Sequence, residues 1–290
     1  MTADAAKLRA NFLAERDALA ARFPKTFAPN WPARARTVAL IAAAIGLYGV
    51  GLVTLDFDPS RILRGMLRLG DIFQLMMPPT PETWSRAQLY FEALVQTVSI
   101  AFLGTTMAAL LAIPLGFLAA RNIVANWLVH ILARRSLDTM RSVDTLIWAL
   151  IWINVVGLGP FAGALAIMTS DLAAFGKLMS EAIETADNKP VEGVAASGGS
   201  RLETIRFGIV PQVLPIFASQ ILYFFESNTR SATIIGIVGA GGIGLYLSEE
   251  IRVLEWQRAA FLILMVLVTV AIIDQVSQRL RTAIVGNRGR

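Results

Sequence analysis

Glu226, Asn228, Thr229, Arg230 and Ser231 bring a carboxylate, an amide, two hydroxyls and a guanidinium together, between stretches of apolar sequence. An arginine fork donates to two oxygens of a phosphate-like anion at once, and the neighbouring amide and hydroxyls can serve the remaining oxygens. The group could therefore line a passage for an oxyanion. A plainer reading stays open, because Glu226 and Arg230 are four apart and pair readily on one helix face. Asp171 is a further ionisable residue in apolar surroundings, where charge is costly. A negative charge does not help an anion along its path, so a packing or gating pairing suits Asp171 better. Trp148, Trp152 and Asn154 read as helix-packing or interfacial-belt residues.

Other chemistries find no residues to carry them. The chain has no cysteine, which removes disulfides, zinc–thiolate sites and a thiol nucleophile. Its single histidine, His130, can neither build a histidine-rich metal site nor complete a serine triad, and reads as a bland interfacial residue. Neither H-E-x-x-H nor G-x-S-x-G occurs, and Glu249-Glu250 reads as a loop pair of carboxylates with no evident partner. No G-x-x-x-x-G-K-[ST] is present, so ATP hydrolysis would have to come from another chain. Gly239, Gly241 and Gly244 satisfy G-x-G-x-x-G, but the next acids come too soon and the flanks are apolar. That segment is predicted to be a re-entrant or tightly packed turn at the external face.

Long apolar runs must position these residues. Of 290 residues 55% are hydrophobic and 16% charged, with a mean hydropathy of +0.59. Soluble domains carry about a quarter charged residues, so a membrane class follows. Six runs approach the ~20 residues that cross hydrocarbon: Thr37 to Leu55, Ala93 to Ala119, Asp144 to Val156, Pro160 to Met179, Val213 to Phe225 and Ala259 to Val276. The third and fifth need neighbouring residues to complete a crossing. The expected class is all-α. A leader (1–36), a first transmembrane helix (37–55) and an external loop (56–92) precede a permease domain (93–278), followed by a tail (279–290).

Six crossings put both termini on one side. With that side inside, 19 Lys and Arg lie inside and 7 outside, so both ends are predicted cytoplasmic in a multi-pass inner-membrane protein. The basic residues collect beside apolar segments, which turns the net charge of +5 away from nucleic acid and toward phospholipid. Leu8, Phe12, Leu19 and Phe23 recur near helical spacing, as in an amphipathic helix on the inner leaflet. The segment from Asn122 to Met140 reads as a second surface-lying stretch. No cleavable signal is apparent before the first run.

The loop at 181–212 has its own local physics. Pro190 suits a first helical turn, Glu192 favours the positive end of the helix dipole, and Val191, Val194 and Ala195 form a short apolar face. Gly198-Gly199 ends that helix. Ser200-Arg201-Leu202-Glu203 has the form of a capping box and starts another short helix, and Pro211 and Pro215 mark the turn into the fifth crossing. A short helix, a glycine hinge and a second helix suit docking in a groove on a partner; a merely structural loop is the alternative.

The spacing of Glu192, Gly198 and Pro211 resembles the EAA loop of ABC-importer permeases, with Gly193, Val194, Gly208 and Val210 as departures. The string FFESNTRSATIIGIVGAGGIG, with TVSIAFLGT, AIPLGFLAARN and LIWAL…VVGLGPFAG, resembles phosphonate-importer permeases over roughly residues 96–279. The resemblance implies a type I (MetI-like) permease fold and translocation of phosphonate, phosphite or phosphate. It also implies coupling to an ATPase dimer through Glu192, Gly193, Val194, Ala195, Gly198, Ser200, Arg201 and Pro211. The implied assembly has a periplasmic or lipid-anchored solute-binding protein and a second permease copy, as a homodimer or with a similar chain. ATP and Mg would be bound by the ATPase, leaving no cofactor and no covalent chemistry in this chain. An ion-coupled secondary transporter and a membrane-embedded enzyme are the rival readings; the first lacks a set of buried acids and the second a nucleophile with its base.

Overall fold

In hydrocarbon each backbone N–H and C=O needs an internal partner, which leaves helices as the form these apolar runs can take. A computed structural model describes residues 12, 15–16, 18–23 and 31–286. Most of the leader, including Leu8, lies outside the described residues. Among the described residues the regular structure is helical. The chain divides into a unit of residues 1–68 and a unit of residues 69–290.

In the first unit, α1 (Trp31–Thr54) is apolar all round, with Leu40 and Leu47 each more than 70% exposed. Such a surface suits lipid rather than water. After Asp58, whose carboxylate accepts from the Ser60 N–H and hydroxyl, α2 (Pro59–Leu75) begins and runs across the unit boundary. Arg61, Arg64 and Arg68 lie on α2, so the segment read as an external loop holds a helix. The alternation of these arginines with Ile62, Leu63 and Leu67 gives the amphipathic pattern of an interfacial helix.

The second unit contains α3 (Trp84–Ala119), α4 (Trp127–Arg141), α5 (Thr145–Val156), α6 (Pro160–Glu184), α7 (Asn188–Ala196), α8 (Arg201–Ala240), α9 (Ile243–Arg252) and α10 (Trp256–Gly286). The second crossing therefore starts nine residues before Ala93, at Trp84, behind the Thr83 cap. The third crossing differs more. At 12 residues α5 is about 18 Å long, short of the ~30 Å of hydrocarbon. The preceding α4 is bent from it by 91°, so the pair is one broken span or a surface helix followed by a partial crossing. Five helices are long and apolar enough to cross, six if the bent pair counts as one.

Small residues set the packing of α3 on α6. A Cβ on Gly104 would lie 2.8 Å from Ile167 Cβ and 2.9 Å from the Ala164 carbonyl, so the glycine allows the approach. Three buried clusters follow along the bundle. Tyr90, Leu94, Ile243 and Leu262 form one end; Ile100, Ala166, Ile167 and Ile235 the middle; Phe175, Ile183, Val213 and Phe217 the other end. Phe175 meets Phe217 edge-on at 5.6 Å and Phe224 at 4.6 Å, which ties α6 to α8 through aromatic contact.

The glycine-rich segment closes the end of α8, where Gly239 leaves helical conformation, and turns tightly into α9. Gly239, Gly241 and Gly242 take φ of +104°, +81° and +75°, a region costly for other residues. The N–H groups of Gly242 and Ile243 donate to Gln96 Oε1 and Thr97 Oγ1, both at 2.8 Å. These donors, which a nucleotide phosphate would need, are already occupied by α3. The reading of Glu249-Glu250 as an unpartnered loop pair is corrected, since both lie in α9. Glu250 accepts from Tyr90 Oη at 2.7 Å and pairs with Arg258 at 3.0 Å. Arg258 also reaches Glu82 and Glu255, each at 3.0 Å, so one guanidinium joins the starts of α3 and α10 to α9.

Candidate functional site

The α6–α8 connection is built from local signals that each satisfy a helix end. Asp187 caps α7, its Oδ1 accepting from Lys189 N–H at 3.1 Å, and Pro190 falls in the first turn. At the other end Gly198 has φ +86°. Its N–H donates to the Ala195 carbonyl at 3.0 Å, and the Gly199 N–H donates to the Val194 carbonyl at 3.1 Å. That pair of bonds is a Schellman motif, which needs the left-handed residue glycine supplies. Immediately after it, Glu203 Oε2 accepts from the Ser200 N–H at 2.7 Å while Ser200 Oγ accepts from the Glu203 N–H at 3.4 Å. The capping box is formed.

Beyond Glu203 the expectation of a second short helix and a turn at Pro211 and Pro215 is corrected. Arg201–Ala240 runs as one helix, with a π turn over Thr204–Ile209 just ahead of both prolines. The wider turn absorbs the altered bonding that a proline ring imposes, so neither proline ends the helix. Pro215 lies within it. The consequence is mechanical: the capping-box end and the membrane-crossing part of α8 are continuous, about 50 Å from Arg201 to Ile235 at 1.5 Å per residue.

Two contacts that sequence reasoning missed fasten α7 to this helix. Gly208, in the π turn, faces α7 so closely that a Cβ there would lie 3.0 Å from Val191 Cα and 3.2 Å from Val191 Cγ2. Gln212 Nε2 donates to the Asp187 carbonyl at 3.0 Å, and its Oε1 accepts from the Asp187 N–H at 2.9 Å. The only available signal was the glycine at 208, which counted as a departure from the pattern. Arg201 donates through its guanidinium to the Ile123 carbonyl, linking the start of α8 to the α3–α4 connection. The outward side of α7 stays uncovered: Glu192, Gly193, Ala195, Gly198 and Ser200 are exposed, and Val194 is half-buried. Pro211 is exposed on α8. The structure thus gathers the eight loop residues at one end of the bundle, with a fixed back and a free front.

The second group divides. Glu226 is buried (7% exposed) and accepts from Arg230 at 3.1 Å and from Arg281 of α10 at 3.2 Å. The pairing of Glu226 with Arg230 is therefore present, but Arg281, in the segment read as a cytoplasmic tail, is an additional partner because α10 continues to Gly286. Asn228 and Thr229 turn into the bundle (5% and 2% exposed). Asn228 Nδ2 donates to Thr105 Oγ1 at 2.7 Å and to the Asp171 carboxylate, while Thr229 Oγ1 donates back to the Phe225 carbonyl at 3.0 Å. Asp171 thus has a packing partner on the neighbouring helix. Ser231 is half-buried, and Arg230 is the exposed member of the set. It lies on a strip with Ile216, Tyr223 and Ile237, each seven residues from the next and each more than 40% exposed. Trp152 Nε1 donates to Thr169 at 3.0 Å and Asn154 to its own helix, in line with packing roles. Among the described residues, no group of three or more His, Cys, Asp or Glu is placed to hold a metal ion.

Known proteins resemble this chain. Residues 112–285 match the family described as binding-protein-dependent transport system inner membrane component. The chain is 33% identical to the phosphite transport system permease protein PtxC of Stutzerimonas stutzeri, over 88% of this chain and 91% of that one. It is equally identical, over 88% of its length and 49% of the other's, to the phosphate-import permease protein PhnE of Mycolicibacterium smegmatis. Among solved structures, an inward-facing form of the MetNI methionine ABC transporter superposes with a TM-score of 0.61 at 15% identity, covering 70% of this chain and 99% of that one. An amino acid ABC transporter chain does so with a TM-score of 0.59 at 14% identity, covering 69% and 95%. The fold is the all-α type I ABC-importer permease fold, and the chain belongs to the family of binding-protein-dependent transport system inner membrane components as a permease subunit rather than an enzyme.

Proposed function

We propose that this permease carries phosphonate, phosphite or phosphate inward, driven by a separate ATPase dimer that binds ATP and Mg and seats the exposed face of α7. The observation that carries the reading is the construction of the α7–α8 unit. A free helix face, stiffly tied to a rod that crosses the membrane, turns a push at one end into movement of Arg230 at the other. The relatives named for phosphite and phosphate transport support a phosphorus oxyanion as cargo. Arg230, on an otherwise uncharged strip of α8, suits such an anion through its forked donors. The same strip serves as the seam with a second permease copy, so that two Arg230 side chains face one path. Glu226, itself held by Arg281, holds Arg230 from behind, with Asn228, Thr229 and Ser231 stiffening the helix that carries it. An external solute-binding protein delivers the anion, and both termini lie in the cytoplasm.

The test is uptake in proteoliposomes containing the permease, its ATPase and its binding protein, with phosphite, phosphate and methylphosphonate supplied in turn. ATP-dependent uptake of at least one, cut roughly tenfold or more by Arg230→Ala with the complex intact, is the expected result. Uptake unaffected by removal of the ATPase would refute the proposal.

A further inference from the structure

A cavity of about 440 Å³ opens where the end of α3, the face of α4 and the end of α6 meet. Its two acids are already partnered. Glu184 accepts from Arg134 at 3.0 and 3.2 Å and from the Arg121 backbone N–H at 2.9 Å, and Asp138 pairs with Lys177. These bonds fix the walls and leave the guanidinium groups of Arg121 and Arg135, which line the cavity without a hydrogen bond or ion pair among the described residues. His130 lines it too. Two unpaired guanidinium groups in one basic wall suit a ligand that supplies acceptors.

The neighbouring surface says which kind of ligand. On α4, Trp127, Leu128 and Leu132 are 72%, 64% and 66% exposed, while Arg134 and Arg135 follow them. The 91° bend lays α4 along the membrane when α5 points into it. Leu128, Leu132 and Arg135 share one exposed face of α4, so acyl chains can lie beside the leucines while a headgroup meets the arginine further along. The cavity also lies at the α7 end of the bundle, since Arg201 of α8 bonds to Ile123 in the same α3–α4 connection.

We infer that this cavity binds the phosphate headgroup of an anionic phospholipid, with Arg121 and Arg135 donating to the phosphate oxygens. The assignment to the inner leaflet rests on the proposed cytoplasmic position of α7. Inorganic phosphate offers the same oxyanion chemistry, but it has no acyl chain to use the apolar side of α4.

The full chain, stripped of lipid in a neutral detergent, is titrated with phosphatidylglycerol or phosphatidylcholine and bound lipid is counted by native mass spectrometry. Phosphatidylglycerol should bind about tenfold more tightly than phosphatidylcholine, the preference should vanish in Arg121→Gln/Arg135→Gln, and Arg141→Gln should keep it. An excess of inorganic phosphate should not displace the lipid. Equal binding of both lipids by the unmodified chain, or a preference that survives the double substitution, would overturn the inference, as would displacement by phosphate. If the double variant fails to fold, Arg121→Gln alone should lower the preference while Arg121→Lys, which keeps the charge, should retain most of it. Labelling of Ser200→Cys from each side of the membrane separates the failures. Exposure on the external side sinks the importer reading, whereas equal binding of both lipids by the unmodified chain with cytoplasmic labelling sinks this inference alone.

Discussion

Gly198 offers a perturbation with little ambiguity, because its backbone is strained for other residues while its surroundings are empty. Its φ is +86°, and a Cβ built there meets nothing within 4 Å. Substitution therefore changes the cost of the left-handed turn and no packing contact. Asparagine tolerates that region and should cost least; alanine should cost about 1–2 kcal/mol, and valine more because of its branched Cβ. The cost falls on the Schellman turn that sets the angle between α7 and the capping box, and so on the fidelity with which α7 transmits a push to α8. Reconstituted with the partner ATPase, the series should lose substrate carried per ATP hydrolysed in the order Asn, Ala, Val, while hydrolysis itself continues. An alanine shift of 1–2 kcal/mol corresponds to about a 5- to 30-fold fall in the population of the native turn relative to its alternatives. Equal coupling in all three variants, or an asparagine variant worse than the valine one, would refute the reasoning.

Three further outcomes follow from contacts in the same unit. Gly208→Ala should loosen α7 from α8 and lower coupling, since a Cβ 3.0 Å from Val191 Cα forces overpacking of about 1–3 kcal/mol; ATPase stimulation by the permease is the readout. Asn228→Ala should lower thermal stability in detergent by about 1–3 kcal/mol, because it strips a buried partner from Asp171 and Thr105. Non-additivity with Asp171→Ala checks that the two act together. Arg281→Ala should reduce uptake less than Arg230→Ala, because Glu226 keeps its bond to Arg230; equal losses would show that the tail arginine also meets the substrate.

Much of the candidate site was legible because it is written in local signals. The Schellman glycine and the capping box each act within a few residues, and both form where the spacing put them. Five of the six apolar runs fall in helices long and apolar enough to cross, while the third falls in the short arm of a bent pair. What escaped was non-local. Arg281 reaches Glu226 across 55 residues, Gln212 grips Asp187 across 25, and Asn228 meets Asp171 across 57. No spacing rule encodes such pairs. The prolines at 211 and 215 misled for a subtler reason. A proline usually ends a helix, but a π turn ahead of it changes the bonding, and that turn has no strong residue signature. Asn228 and Thr229 look like passage-lining polar residues from their types alone; the helical phase that buries them, while leaving Arg230 exposed, depends on which face α3 and α6 take.

The central claim is that the free face of α7 rests on a nucleotide-hydrolysing partner. Since the chain has no cysteine, Glu192→Cys gives a single attachment point for a short bifunctional cross-linker. In inverted membrane vesicles holding the assembled transporter, the account predicts a cross-link to the ATPase whose yield changes with ATP. A residue 192 reached only from the external side, with no ATPase adduct at any nucleotide state, would contradict it.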